Sequence, residues 1–489
     1  MDSKQAYSPE QLYETLISIL DNVRLSEIAV SPYVLPEEGV TPPSPASLPS
    51  CSKQSVNKVV SHSIRPFSLI DGDKLVIPQK PLYAIYSYAV KALSRYPREI
   101  FHTTSSAAAA GIDSKGKSSG ENDTLHRIDD FTKCILIQTP EHARAMNLRK
   151  RMLLSRLSKY IPGHAEVECV GKFIREELHL TELILGIASN AKMGPLWHHR
   201  KWLYALLHSL HSDEQNVADE SGTSLLAHHM KGRKLLRVKP VALSLLEFQH
   251  ELKLVDMCAE RYPRNYQAWS YRYWLILGQV SSSRPHANQG IDKADAGGSG
   301  SSVASREKAA YPTLSREYET MEEHISTHIT DYTAATHLLN IVQLSIQCSS
   351  WSAEQPSSTL LDRCFTSAVD FVSRYPYKET PWLLLRGVLA LAREHQQSSI
   401  ESASSSGIYQ KYLQEALTLA RSLAKTEGQG LKGAAELDKQ REDWEERQRS
   451  SSFKYATRSL FYLSSWDDGV VKHPSLGSDE ARQVLEGFR

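Results

Sequence analysis

The chain has 489 residues, enough for about three ordinary domains or one long array. Its 57 Lys and Arg balance 56 Asp and Glu to a formal charge of +1, so it carries no broad field for a polyanion and nucleic acid is a poor expectation as partner. Six cysteines without a C-x-x-C pair argue against a disulfide framework and a cysteine zinc site.

The N-terminal sequence MDSKQAYSPEQLYE lacks the apolar core of a secretory signal, and no stretch approaches 18 uncharged apolar residues. The C-terminal EGFR is not a prenylation box. The expectation is a cytoplasmic protein without a membrane span.

In chain order, Ser8-Pro9 with Gln11 announces a first helix, with an N-cap, a proline at its first position and a capping-box partner. Leu12, Leu16, Ile19 and Leu20 continue it at helical spacing. Residues 26–80, interrupted by Pro32, Pro36 and Asp71-Gly72, are assigned no regular structure. A helix follows from Pro81 to Arg95. Segments 41–58, 103–124, 281–305 and 397–407 are rich in Ser, Gly, Ala and Pro and read as flexible insertions, with further loops at 212–234 and 425–434.

Between the insertions the pattern is helical, and it repeats. Residues 243–262 place Leu245, Phe248, Leu252, Val255 and Ala259 along one stripe. Tyr262-Pro263 ends that helix, and a second helix opens with Trp269, Arg272, Trp274 and Leu275. The pattern W-x-x-R-x-W stands at 197–202 and again at 269–274, using four of the eight tryptophans. Weaker copies lie at 140–149, with Met146 and Arg149, and at Trp382, with Arg386 one place late. Asp331–Leu338 fills another unit with both Trp and Arg replaced. A unit of about 35–50 residues is that of two-helix repeats. Trp197, Arg200, Trp202, Trp269, Arg272, Trp274, Arg149 and Trp382 are therefore expected to pack hairpin on hairpin, the indole filling a groove and Arg stacking on a ring or bonding carbonyls of the adjacent unit. The expected fold is all-α, an alpha-alpha superhelix.

At Tyr262–Leu275 the chain resembles the protein prenyltransferase alpha subunits, whose signature N-P-x-N-Y-x-A-W-x-x-R-x-W-L it closely follows. The likeness is good at 190–203, poor at 331–338, and reaches toward a late helix around Phe453–Leu463. It is nearest to a divergent, repeat-containing branch, similar to subunits that pair with the beta subunit of Rab geranylgeranyltransferase. The resemblance implies prenyltransferase alpha-subunit repeats at 128–392, an N-terminal helical extension at 1–127 and a C-terminal helical region at 393–489. It also implies a heterodimer in which a beta subunit holds the zinc and the isoprenoid. This chain would then lend its inter-helix turns to the transfer of a geranylgeranyl group from its diphosphate to C-terminal cysteines of acceptor proteins.

No independent activity, catalytic residue, metal or cofactor is expected in this chain itself. By resemblance Lys192, five residues before Trp197, meets the diphosphate, while Asn265, Tyr266 and Gln267 line the active-site rim. Gly194 stands where the family has a tyrosine, and Gln267 where a histidine is common. A non-enzymatic helical-repeat scaffold that binds partner proteins is the alternative.

Other patterns are set aside. Gly111–Ser118 fits a phosphate loop, but TTSSAAAA precedes it and SGENDT follows, where a strand and a helix are required. His324 and His328 share a helix face without a Glu or a third ligand; His198-His199 and His228-His229 read likewise. Ser299 lacks a nucleophile elbow.

Overall fold

The computed structural model describes residues 7–32, 66–70, 72–96, 118–157, 167–215, 238–282, 301–349, 358–398, 407–427 and 455. Chain contacts divide it into two compact units, Met1–Tyr271 and Arg272–Arg489. Helical hairpins build both, and the fold is an all-α helical repeat with a small sheet near its N-terminus.

In the first unit, α1 (Pro9–Asn22) begins as read: Ser8 accepts from the Gln11 amide, and the Gln11 side chain accepts from the Ser8 amide. Leu12, Leu16 and Ile19 are buried. Residues 26–80 depart from expectation, because β1 (Glu27–Ser31), β2 (Ser68–Ile70) and β3 (Lys74–Pro78) form a three-stranded sheet of order β1-β3-β2. β1 runs parallel to β3 with Ile28 opposite Leu75, and β2 runs antiparallel to β3 with Leu69 opposite Leu75. Ile28, Leu75 and Ile77 are fully buried. Gly72 takes φ +85° between β2 and β3, a value that costs glycine nothing.

α2 (Gln79–Ser94) packs between α1 and α3 (Ser118–Gln138). Tyr13 lies 5.3 Å from Tyr88 and 5.1 Å from Phe131, which joins the three helices through their rings. α4 (Ala143–Leu157) completes a hairpin with α3. The next hairpin is α5 (Val167–Gly186) and α6 (Gly194–Gln215), joined through a 3-10 turn at Ala188–Asn190. α7 (Leu245–Arg261) carries a Ser244–Glu247 capping box and leads into α8 (Tyr266–Ser282), inside which the division between units falls. The stripe on α7 is rotated from the expected one. Val255 and Ala259 are buried as expected and Phe248 and Leu252 are half-buried, but Leu245 is 69% exposed, and Glu251, Leu254 and Cys258 face inward beside them.

The second unit pairs α9 (Ser301–Thr327) with α10 (Tyr332–Ser349) and α11 (Ser358–Arg374) with α12 (Glu379–Ser398), and α13 (Ile408–Glu427) packs on α12. A Cβ added at Gly387 of α12 would overlap the Leu339 side chain of α10, so the missing side chain lets these helices approach.

Several segments read as insertions are helical at their ends: 118–124 opens α3, 212–215 closes α6, 281–282 closes α8, 301–305 opens α9, 397–398 closes α12 and 425–427 closes α13. Residues 41–58 and, apart from Tyr455, the expected late helix lie outside the described residues.

Candidate functional site

The repeat is held by a buried polar cluster that occurs three times among the described residues. In the first, Arg149 of α4 grips Glu177 of α5, its Nε donating to Oε1 at 2.9 Å and its Nη2 to Oε2 at 2.5 Å. Nη1 turns back to its own hairpin, donating to Asp129 Oδ1 and Thr132 Oγ1 of α3 at 3.0 Å each. His199 of α6 reaches the same carboxylate, Nε2 lying 2.9 Å from Glu177 Oε1. An ionised carboxylate only accepts, so Nε2 carries the proton.

The second cluster repeats the plan within the same unit. Arg200 of α6 donates through Nε to Glu251 Oε2 of α7 at 3.0 Å and through Nη2 to Oε1, while Nη1 bonds Leu178 O and Thr181 Oγ1 of α5. Tyr271 Oη of α8 and Tyr204 Oη of α6 donate to the same carboxylate at 2.7 Å each. In the second unit Arg272 of α8 holds Glu317 of α9 at 2.5 Å and 2.9 Å, and His337 Nε2 of α10 lies 2.8 Å from Glu317 Oε1.

One rule covers all three. The Arg of a second helix pairs with a Glu on the first helix of the next hairpin, and that hairpin's own second helix adds a His or Tyr two places after its Trp position. All nine of these residues are buried. Two-pronged Arg–carboxylate bonds fix geometry as well as charge.

The electrostatics follow from burial and pairing. Burial alone would push the Glu177 and Glu317 carboxyls up, but Arg149 and His199 hold the first well below the usual carboxylate range, and Arg272 and His337 bring the second down to about 2. Burial outweighs the carboxylate at His199 and His337 and lowers both imidazoles. His199 Nδ1 has no hydrogen-bond partner among the described residues.

The tryptophans lie where the repeat wants them. Trp197, Trp269 and Trp382 are each at most 2% exposed, and Trp202 and Trp274 are buried too. Trp197 Nε1 donates to Ala191 O and Trp382 Nε1 to Pro376 O, both at 2.8 Å and both six residues back, so the indole seals its own inter-helix turn. At Asp331–Leu338 both signature residues are replaced by buried Ala335 and Leu338, yet Asp331 caps α10 through the Thr333 and Ala334 amides. The last hairpin has Leu385 in the Arg position.

The expected rim residues come together in the first unit. Lys192 Nζ donates to Tyr262 Oη at 2.7 Å and lies 4.7 Å from that ring's centroid. A Cβ on Gly194 would stand 3.2 Å from Gln267 Nε2, so the Gln267 side chain takes the space that a residue larger than glycine would need. Asn265 is 1% exposed, and its amide is committed to the backbone: Nδ2 donates to Ala191 O at 2.9 Å, and Oδ1 accepts from Ala268 N at 3.2 Å. It ties the turn that carries Lys192 to the turn that carries Tyr266. Tyr266 is 62% exposed. Arg264, just before Asn265, holds φ +59°, a left-handed value for a residue with a Cβ.

The set-aside patterns have places as well. Residues 111–117 lie outside the described residues, but a helix does follow at Ser118, contrary to expectation. The His324 and His328 rings stack at 4.4 Å, and no group of three His, Cys, Asp or Glu able to hold a metal ion occurs among the described residues. A cavity of about 600 Å³ beside Arg149 and Glu177 is lined by Arg24, Lys133, Arg149 and Arg156 against Asp21, Asp129, Glu176 and Glu177, a balance that gives it no net attraction for an anion. No described helix is long and apolar enough to cross a membrane.

Buried Arg–Glu junctions between successive hairpins define an all-α repeat protein whose exposed chemistry lies in its turns. The kind of repeat is specific: residues 248–278 match the protein prenyltransferase alpha subunit repeat. The chain is similar to protein prenyltransferase alpha subunit repeat-containing protein 1 of Danio rerio, 22% identical over 298 residues, 55% of this chain and 57% of that one. To the Homo sapiens protein of the same name it is 29% identical over 147 residues, 30% of this chain and 29% of that one. The chain thus matches little more than half of the first relative's length and under a third of the second's.

Proposed function

We propose that the chain is the alpha-type subunit of a cytoplasmic heterodimeric protein prenyltransferase. In this reading residues 128–392 are the repeat domain, and a beta subunit similar to that of Rab geranylgeranyltransferase supplies the zinc, the isoprenoid pocket and most of the acceptor site. The group transferred is geranylgeranyl, carried from its diphosphate to a C-terminal cysteine of an acceptor protein. This chain performs no chemistry alone. Lys192 offers an exposed ammonium to the departing diphosphate, Tyr266 and Gln267 offer hydrogen bonds at the rim, and Asn265 positions the two turns against each other.

The observation that carries the reading is the joining of the Lys192 turn to the Tyr262–Gln267 turn by Asn265 and by the Lys192–Tyr262 bond. Two turns so linked present their donors as one surface, and the repeat of prenyltransferase alpha subunits covers the second of them.

A second reading, a repeat scaffold without transferase activity, is favoured by one feature. Gly194 leaves the rim without a tyrosine hydroxyl, and Lys192 already donates to Tyr262. Reconstitution with a beta subunit and geranylgeranyl diphosphate separates the two. Lys192→Ala is expected to lower turnover at least about tenfold while the heterodimer still forms. A heterodimer that transfers neither farnesyl nor geranylgeranyl to any cysteine-terminated acceptor would leave the scaffold.

A further inference from the structure

The acids and bases of the first unit are distributed unevenly. α3 and α5 carry four acids each, whereas α4 carries Arg144, Arg149, Lys150, Arg151 and Arg156 and no acid. Arg149 is neutralised within the fold, and Arg144 donates to the carbonyls of Leu93 and Tyr96. Among the described residues no carboxylate pairs with Lys150 or with Lys201 of α6, whose Nζ donates to the Ser270 carbonyl at 3.4 Å. They stand in the same register, four places after Met146 and Trp197. Each rests on an aromatic ring of the following hairpin: Lys150 Nζ is 5.4 Å from the Trp202 centroid and Lys201 Nζ 6.0 Å from that of Tyr271.

Exposed His198 lies near enough for both lysines, after burial, to depress its basicity. Burial lowers Lys150 and brings Lys201 down to about 8, and no carboxylate among the described residues opposes either effect.

We propose that Lys150, His198 and Lys201 form a docking face for an acidic segment of a second protein chain. Three observations support this occupant. The lysine ammonium groups lie over aromatic rings, and that of Lys201 also bonds the Ser270 carbonyl, so they are held in place before a partner arrives. They are partly desolvated without a counter-charge, so an incoming carboxylate restores what burial removed. They also lie in the middle of helices, where backbone amides are already bonded within the helix. Phosphate cradles draw on free amides at helix N-termini or in turns, and this face has none to offer. Identifying the second chain as the partner subunit rests on the function proposed above; the acidic character of the occupant does not.

The experiment uses the full chain with two probes, a hexaglutamate peptide and inorganic pyrophosphate, followed by tryptophan emission, with Trp202→Phe assigning the signal. The peptide is expected to produce a saturable change that salt weakens and that Lys150→Ala/Lys201→Ala weakens about tenfold. No response to the peptide, or the same response in the double variant, overturns the proposal, as does a response to pyrophosphate alone. In parallel, Lys150→Glu/Lys201→Glu is expected to weaken assembly with a prenyltransferase beta subunit about tenfold or more, while Lys91→Glu, at an exposed position of α2, leaves it unchanged. Peptide binding that depends on both lysines, in a chain that pairs with no beta subunit, would uphold the docking face and remove the assembly reading.

Discussion

Glu251 concentrates the energetics of the repeat in a single side chain. Arg200, Tyr204 and Tyr271 all donate to its carboxylate, and it is fully buried. Removing it leaves the Arg200 charge inside the protein with only the Leu178 carbonyl and the Thr181 hydroxyl as partners among the described residues, and takes from the Tyr204 and Tyr271 hydroxyls their shared acceptor. Glu251→Ala should therefore cost about 3–5 kcal/mol, read as a fall in the denaturant midpoint at an unchanged slope. A loss below about 1 kcal/mol would mean that the cluster is incidental to the fold.

The Arg and Trp positions of these clusters were legible in the sequence because W-x-x-R keeps both within one turn. The Glu partners were not, because each stands on another helix. Glu177 is 22 residues before His199, whereas Glu251 and Glu317 are each 20 before Tyr271 and His337. That near-constant spacing is the signal that could have found them. From its sequence Arg is expected on carbonyls and rings; Leu178 O is one partner of Arg200, but the charged partner is the glutamate.

Between elements, the junctions differ in one member, and the difference has a pH consequence. Two junctions use histidine and one uses tyrosine. His199 and His337 are buried and held below the ordinary imidazole value of 6.5. Below pH 6.5 the unfolded chain takes up protons that the folded histidines refuse, so folded stability falls as pH drops. Glu177 and Glu317, also depressed, add a second loss in the same direction below 4.5, the ordinary carboxylate value. The two histidines should thus make thermal stability decline from about pH 6.5 downward. His199→Gln/His337→Gln retains a donor for each glutamate and should remove the first stage of the decline. An unchanged profile in that variant would place the titrating groups elsewhere.

At α10 and α12 the close approach is set by Gly387. Gly387→Ala gains helix propensity of about 1 kcal/mol but forces Leu339 aside at an overpacking cost of about 1–3 kcal/mol. The net expectation is a lower melting temperature, whereas a rise would show that Leu339 can rotate away freely. Helices were read reliably where an amphipathic stripe met a cap, as in α1. The sheet was missed because its strands are three to five residues long. The β1–β3 pairing also joins residues far apart in the sequence, which no local periodicity reveals. The rotated stripe of α7 has the same origin as the missed glutamates: Glu251 is an inward-facing charge, and a hydrophobic pattern counts it as outward.

For the whole molecule, a chain with a formal charge of only +1 keeps its charge organised locally, acids on first helices and unmatched lysines on second ones in the first unit. The candidate rim was legible only through its resemblance to a family. Lys192 and Gln267 have no local pattern that marks them, and their neighbourhood depends on Asn265 bridging two turns 74 residues apart. The central claim, that these repeats exist to hold a second chain, is tested most directly by sedimentation of this protein co-expressed with prenyltransferase beta subunits. The account predicts one species with the mass of a one-to-one heterodimer, stable at physiological salt. A chain that sediments alone at 54.9 kDa beside every beta subunit offered would contradict it.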